Sequence, residues 1–264
     1  MFKRILLTTE GTRSMERIIN YVSELFPEAS FHVISVVNTS IGSLHSTKLL
    51  IDLFDKQAEH ALQDAKRILD QKGIEATYIK KRGNPAKEIL KYINLNRMDL
   101  VTLGSSAQRG IAKLTFGHVG EPVIKKALCP VLVLNKNGRF ERPNTILNPT
   151  DGKTHSVEAG ILATSLANYF GATLHKCYVG RDKEFGEKVL RESSELARQM
   201  GVKEVDVCEL FEGDPAEWIL KRTDMHDMIV IGKGRKSLFK KNLLGFTSRE
   251  VAALSPIPVF LVGH

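Results

Sequence analysis

Two glycines 13 positions apart, Gly104 and Gly117, stand between an apolar run and a stretch of helical spacing, and the pair recurs as Gly232 and Gly245. Glycine lets backbone N–H groups approach an anion closely, and a helix N-terminus adds a positive dipole, so such loops suit phosphate. Residues that could complete a site cluster at neighbouring strand ends. In the first half they are Thr9, Glu10, Val37, Ser105, Arg109 and His118. In the second they are Pro149, Thr150, Asp151 and Val179, then Lys233, Gly234 and Lys236, and finally Phe246 and Thr247, with Ser248 one place further on. Catalysis has no comparable signature. G-x4-G-K-[ST] and G-x-S-x-G are absent, and the eight histidines are dispersed without H-x3-H or H-E-x-x-H spacing, so neither a catalytic residue nor a metal site is expected.

Plainer roles exist for the same residues. Gly117 and Gly245 could end a loop and begin a helix, Asp151 could cap the helix that follows it, and His118 reads as a surface or capping histidine. The run Lys233-Gly234-Arg235-Lys236 is either a phosphate clamp or a solvated loop.

The elements that must position these residues occur twice. Gly83-Asn84-Pro85-Ala86 returns as Gly213-Asp214-Pro215-Ala216, offset by 130, whereas Gly104, Gly117 and Pro130 return offset by 128. The opening Ile5-Leu6-Leu7-Thr8-Thr9-Glu10-Gly11 aligns with Ile146-Leu147-Asn148-Pro149-Thr150-Asp151-Gly152. A period this long means duplicated domains, not a solenoid. Domains are expected at 1–137 and 145–264, joined by a linker at 138–144 within the polar stretch Asn135–Asn144.

Within the first half, strands are expected at Arg4–Thr8, Phe31–Val37, Glu75–Lys80, Asp99–Gly104 and Val131–Leu134. Met15, Ile18, Ile19, Val22 and Phe26 recur at helical spacing, as do Leu50, Phe54, Ala58, Ala61, Ala65, Ile68 and Leu69. Further helices are expected near Pro85–Asn94 and Val119–Ala127. The second half repeats the order, with strands near Thr145–Asn148, Thr173–Val179, Glu204–Leu210, Met228–Gly232 and Val259–Val262. Strands alternating with helices imply two doubly wound α/β domains, each a five-stranded parallel sheet covered on both faces. Ligands of such sheets bind beyond the carboxyl ends of the strands, where the strand order reverses.

Composition narrows the class further. The net charge of +8 resides in residues 1–140, where Lys plus Arg outnumber Asp plus Glu by 21 to 13; residues 141–264 balance at 17 to 17. That permits weak attraction to phosphorylated ligands, but with 7% aromatics and no nucleic-acid motif, nucleic acid is not an expected partner. No apolar run approaches bilayer length and the opening apolar stretch is short for a signal peptide, so a cytoplasmic protein without membrane association is expected. Three cysteines, Cys129, Cys177 and Cys208, include no C-x-x-C pair and read as buried structural thiols, not as a disulfide framework.

Taken together, the repeated Gly-x-Pro element, the glycine pairs and the Cys129-Pro130-Val131 ending resemble the universal stress protein family, over nearly the whole chain and in two copies. The family pattern opens with Pro-x-Asp-Gly-Ser and carries G-x2-G-x9-G-[ST]. Here Ala107 and Arg235 stand at the second glycine, His118 and Phe246 at the hydroxyl, and Glu10 at the first acidic position, while Asp151 keeps the second. The resemblance implies an adenine nucleotide alpha hydrolase-like fold and adenine nucleotide, AMP or ATP, as ligand, with Mg a companion ion. It also implies that the acidic residue lies near the adenine, the glycines hold ribose and phosphates, and the hydroxyl meets the terminal phosphate. Loss of both hydroxyls weakens that last contact most, so AMP should be tolerated better than in intact members. Thr247, Ser248, Lys233 and Lys236 are candidate replacements in the second half, and Arg109 in the first.

The expectation is a stress-response protein that senses nucleotide or protects, without dedicated catalysis. The alternative is a nucleotide-free interaction scaffold with degenerate pockets. In the resembling family the last strand pairs two domains, so Pro130–Leu134 and Pro258–Val262 are expected to join the halves as an intrachain pseudo-dimer; leaving both edges unpaired would invite aggregation. A homodimer of two chains is a further expectation.

Overall fold

The computed structural model describes residues 1–11, 14–39, 48–105, 116–210, 213–234 and 245–263. Packing divides them into two compact units. One holds Phe2–Gly104 and Phe116–Cys129; the other holds the chain from Pro130 onward together with Met1 and Ser105.

The first unit runs β1 (Arg4–Thr8), α1 (Ser14–Leu25), β2 (Ser30–Asn38), α2 (Lys48–Gln71), β3 (Ala76–Gly83), α3 (Pro85–Asn96), β4 (Leu100–Ser105) and α4 (Gly117–Lys126). Its strands lie in the order β3-β2-β1-β4, and the pairs β1·β2, β1·β4 and β2·β3 are parallel. Ile5, Leu6 and Leu7 are inaccessible to solvent on successive positions, as expected of a strand covered on both faces. Met15, Ile18, Ile19, Val22 and Phe26 are buried as their spacing predicts. On α2 the apolar stripe is buried from Ala58 to Leu69, but Leu50 at its start is exposed.

The second unit begins with β5 (Val131–Asn135), the last strand of the first repeat. It continues with β6 (Thr145–Thr150), α5 (Thr154–Phe170), β7 (Thr173–Val179), α6 (Lys183–Gln199), β8 (Val205–Leu210), α7 (Pro215–Lys221), β9 (Met228–Gly232), α8 (Phe246–Leu254) and β10 (Val259–Val262). The strand order is β5-β10-β9-β6-β7-β8. All neighbours are parallel except β5, which pairs antiparallel with β10 through Val133↔Val259, Leu132↔Phe260 and Val131↔Leu261. The last strands of the two repeats thus cover each other's edges. The backbone N–H of Arg139 reinforces this by donating to the Pro256 carbonyl, while its guanidinium donates to the carbonyls of Thr223 and His226.

The repeated sequence landmarks are local devices. Gly83 and Gly213 take the positive φ values of 144° and 96°, which cost glycine little. The next residue, Asn84 or Asp214, caps a helix by accepting the N–H of Lys87 or Glu217, and proline follows at the first helical position, where no N–H is needed. A second device is Asp99, whose carboxylate accepts the N–H groups of Lys3 and Arg4; Asp227 does the same for Asn144 and Thr145. Each aspartate anchors the opening strand of its repeat to the turn before the fourth.

The cysteines correct the sequence expectation. Cys177 and Cys208 form a disulfide with Cα atoms 4.6 Å apart. The cause is register: β7 and β8 run parallel and place these two residues opposite each other. Cys129 is buried, as expected.

Candidate functional site

In the second unit β6 lies between β7 and β9, so the strand order reverses at β6·β9. A cavity of about 300 Å³ opens there, beyond the carboxyl ends of the strands. Pro149 and Thr150 reach it from the end of β6, Val179 from the end of β7 and Gly232 from the end of β9. Asp151, Gly234, Gly245, Phe246 and Thr247 complete the sequence-predicted set that lines it.

Three glycines shape this wall. A Cβ on Gly232 would sit 2.6 Å from the His155 ring and 2.7 Å from its carbonyl oxygen. Gly234 has φ of +61°, and a Cβ there would lie 3.2 Å from the Gly245 Cα. The two backbones therefore touch, and the loop closes as the Gly245 N–H donates to the Lys233 carbonyl at 2.9 Å. Ser248 locks the same turn, its hydroxyl donating to the carbonyls of Lys233 at 2.7 Å and Gly245 at 3.2 Å. Gly245 precedes α8, whose start has no side-chain cap. The N–H groups of Phe246, Thr247 and Ser248 thus have no intrahelical acceptor and lie at the positive end of the helix dipole.

Asp151 lines the same cavity. Its carboxylate accepts the Lys153 N–H at 3.1 Å, meets the Lys153 ammonium at 3.1 Å and lies 3.6 Å from His155 Nε2. Burial disfavours its charge, but the hydrogen bonds from Lys153 and the nearby charges of His155 and Lys153 prevail, holding the carboxyl below its ordinary range. Asp151 does not cap α5, which begins after Lys153 without a side-chain cap.

The remaining predicted residues lie elsewhere. Lys233 is buried and outside the cavity lining, and Lys236 and Arg235 fall beyond the described residues. In the first unit, Val37 and Thr9 are buried at the ends of β2 and β1, and Glu10, Gly104, Gly117 and His118 are exposed. Gly117 opens α4 with φ of +66°. Ser105 is buried at the end of β4, its carbonyl accepting the Lys136 N–H. Arg109 and Ala107 lie outside the described residues.

Lys153, His155, Ser156, Pro215, Ile219 and Ile231 also line the cavity. Two signals could have pointed to them: His155 stands four places after Asp151, one helical turn away, and Pro215 belongs to the repeated Gly-x-Pro element.

Among the described residues, no group of three or more His, Cys, Asp or Glu could hold a metal, and no helix is long and apolar enough to cross a membrane.

The model of the universal stress protein family matches residues 1–135 and again 143–263. A universal stress protein of Methanocaldococcus jannaschii is 28% identical over 144 residues, covering 52% of this chain and 84% of its own length. One from Bacillus subtilis is 28% identical over 147 residues, covering 51% and 99%. Among solved structures, a universal stress protein from Archaeoglobus fulgidus superposes with a TM-score of 0.79 at 24% identity, over 98% of this chain and 95% of that one. The cytoplasmic domain of a prokaryotic cation chloride cotransporter shares the fold at TM-score 0.61 and 12% identity, covering 99% and 95%. With two adjacent family matches spanning almost all of its length, the chain belongs to the universal stress protein family and is a tandem member of it.

Proposed function

We propose that the second repeat binds an adenine nucleotide at the β6·β9 switch point and acts in the stress response as a nucleotide sensor or protective factor without dedicated turnover. One observation carries the reading: Gly232, Gly234 and Gly245 pack against their neighbours so closely that a Cβ on any of them would crowd an adjacent group, beside the uncapped start of α8. That arrangement offers backbone N–H groups to a phosphate without demanding the missing hydroxyl. Phe246 occupies the family's hydroxyl position and Ser248 spends its hydroxyl on the turn, so a terminal phosphate gains little and AMP suffices. Asp151 is the one carboxylate among the described lining residues and is already engaged by Lys153. Any Mg accompanying ATP would therefore be held mainly by the phosphates.

A second reading, a scaffold without ligand, draws on the same turn: the Gly245 N–H is committed to Lys233 and unavailable to a phosphate. Calorimetry with AMP, ADP and ATP, combined with mass spectrometry of small molecules released from the denatured protein, separates the two. Nucleotide binding that weakens about tenfold in Asp151→Ala supports the first. Absence of both released nucleotide and heat leaves the scaffold.

A further inference from the structure

A second cavity in the same unit, of about 350 Å³, lies between α5 and α6 and contains a buried cation. Lys176, in the middle of β7, is 3% exposed. Its ammonium has a single acceptor among the described residues, Asn148 Oδ1 at 3.4 Å, and no carboxylate within ion-pair distance. A lysine has three N–H groups to satisfy, and burying its charge without an anion is costly. Burial lowers its pKa to about 8, which leaves it protonated at neutral pH.

The first unit shows what this place looks like without such a site. A cavity of about 310 Å³ is lined there by Thr9, Gly11, Met15, Glu16 and Ile19, which align with Thr150, Gly152, Ser156, Val157 and Gly160 of the second. Leu7 pairs with Val33 in register, where the second repeat pairs Asn148 with Lys176. Ile19 becomes Gly160, in mid-helix, where glycine is less favourable than alanine. A Cβ there would come within 3.6 Å of the Lys176 ammonium and 3.5 Å of Asn148 Oδ1. Three substitutions thus replace the buried apolar side chains Val33, Leu7 and Ile19 by a cation, an amide and a glycine.

The mouth changes in the opposite sense. Glu16, Asp64 and Arg67 line the first cavity. Around the second, Val157 and Ile161 on α5 and Phe185 and Leu196 on α6 are exposed apolar side chains. Lys188 and Glu192 lie at its edge, 3.9 Å from each other. A positive centre beneath an apolar rim matches a molecule with an anionic head and an apolar tail.

We infer that this cavity is a binding site for small amphipathic monocarboxylates, the carboxylate meeting Lys176 and Asn148 and the tail lying between Val157, Ile161, Phe185 and Leu196. The site is separate in its chemistry from the nucleotide reading and does not depend on it. Sodium octanoate is the probe, titrated into the full-length protein by calorimetry and by NMR, with 1-octanol as the tail-only control. Saturable one-to-one binding of octanoate, at least about tenfold weaker in Lys176→Met and abolished in Gly160→Ile, is the expected result. Octanol should bind wild type and Lys176→Met alike. If wild type does not bind octanoate, or if Lys176→Met binds it undiminished, the inference is overturned. Should Gly160→Ile fail to fold, Lys176→Met alone decides, its fold checked by circular dichroism.

Discussion

Replacing Lys176 by methionine should make the protein more stable. The side chain is 97% buried by complement of its 3% exposure, and methionine keeps most of its length while removing the charge. In the folded chain the lysine titrates near 8 and in the unfolded chain near 10.5. At 1.36 kcal/mol per pH unit that gap corresponds to about 3 kcal/mol of cost in holding the ammonium in the fold. Asn148 Oδ1 loses a long 3.4 Å hydrogen bond in the variant, which returns roughly 1 kcal/mol. The expected net gain at pH 7 is thus about 2 kcal/mol. The sign with pH follows from the lowered value. Below about pH 8 both states are protonated and the full cost is present. As pH rises toward 10.5 the folded lysine is neutral while the unfolded one still binds a proton, so wild type gains on the variant and the difference closes. Trp218, the one tryptophan of the chain, lies on α7 in the same unit with the Arg222 guanidinium 3.6 Å from its ring. Its fluorescence in urea titrations at pH 7, 8.5 and 10.5 therefore reports the relevant unfolding. A variant less stable than wild type at pH 7, or a difference that does not change between pH 7 and 10.5, would refute the reasoning.

Other perturbations bear on the scaffold and the switch-point site. Gly232→Val forces a side chain onto His155, where even a Cβ would come within 2.6 Å of the ring; a loss of about 1–3 kcal/mol together with lost nucleotide binding is expected by urea titration and calorimetry. Asp227→Ala leaves the N–H groups of Asn144 and Thr145 without their acceptor and should cost about 2 kcal/mol, read from the Trp218 transition. Cys208→Ser opens a disulfide spanning 31 residues, for which chain entropy predicts roughly 4 kcal/mol of lost stability; equal urea midpoints for variant and oxidised wild type would contradict it.

Much of the scaffold was legible because its signals are local. Gly-Asn-Pro-Ala and Gly-Asp-Pro-Ala each hold a positive-φ glycine, a capping side chain and a first-turn proline within four residues, and spacing alone locates such a device. The switch-point residues Thr150, Gly232 and Gly245 were legible for the related reason that strand ends and helix starts can be placed from periodicity. What escaped notice depends on register between strands. Cys177 and Cys208 are 31 residues apart, and only the pairing of β7 with β8 makes them neighbours. Lys153 and His155 were hidden differently, as charged residues at a loop and helix start that take their meaning from how Asp151 turns back on them.

Lys176 is the instructive case. In Thr173–Val179 the period of two puts Lys176 on the same face as Leu174 and Tyr178, a cation in an otherwise apolar series. In a parallel sheet that face is covered by helices, so the lysine is buried with its neighbours. Its cross-strand partner Asn148 was visible as a departure from Leu7 in the aligned openings, and Gly160 as a departure from Ile19 in the helix that follows. Each substitution taken alone would destabilise a core: a polar amide for leucine, a cation for valine, a glycine for isoleucine. Together they place a donor, an acceptor and room for a ligand at one point, which drift at independent positions would not be expected to assemble. A duplicated fold can accept that cost in one copy while the other keeps its apolar packing. The departures that build the Lys176 cavity occur in the second repeat alone, whereas those that weaken the phosphate pattern occur in both, and in the second repeat Thr150 and Ser156 line both cavities.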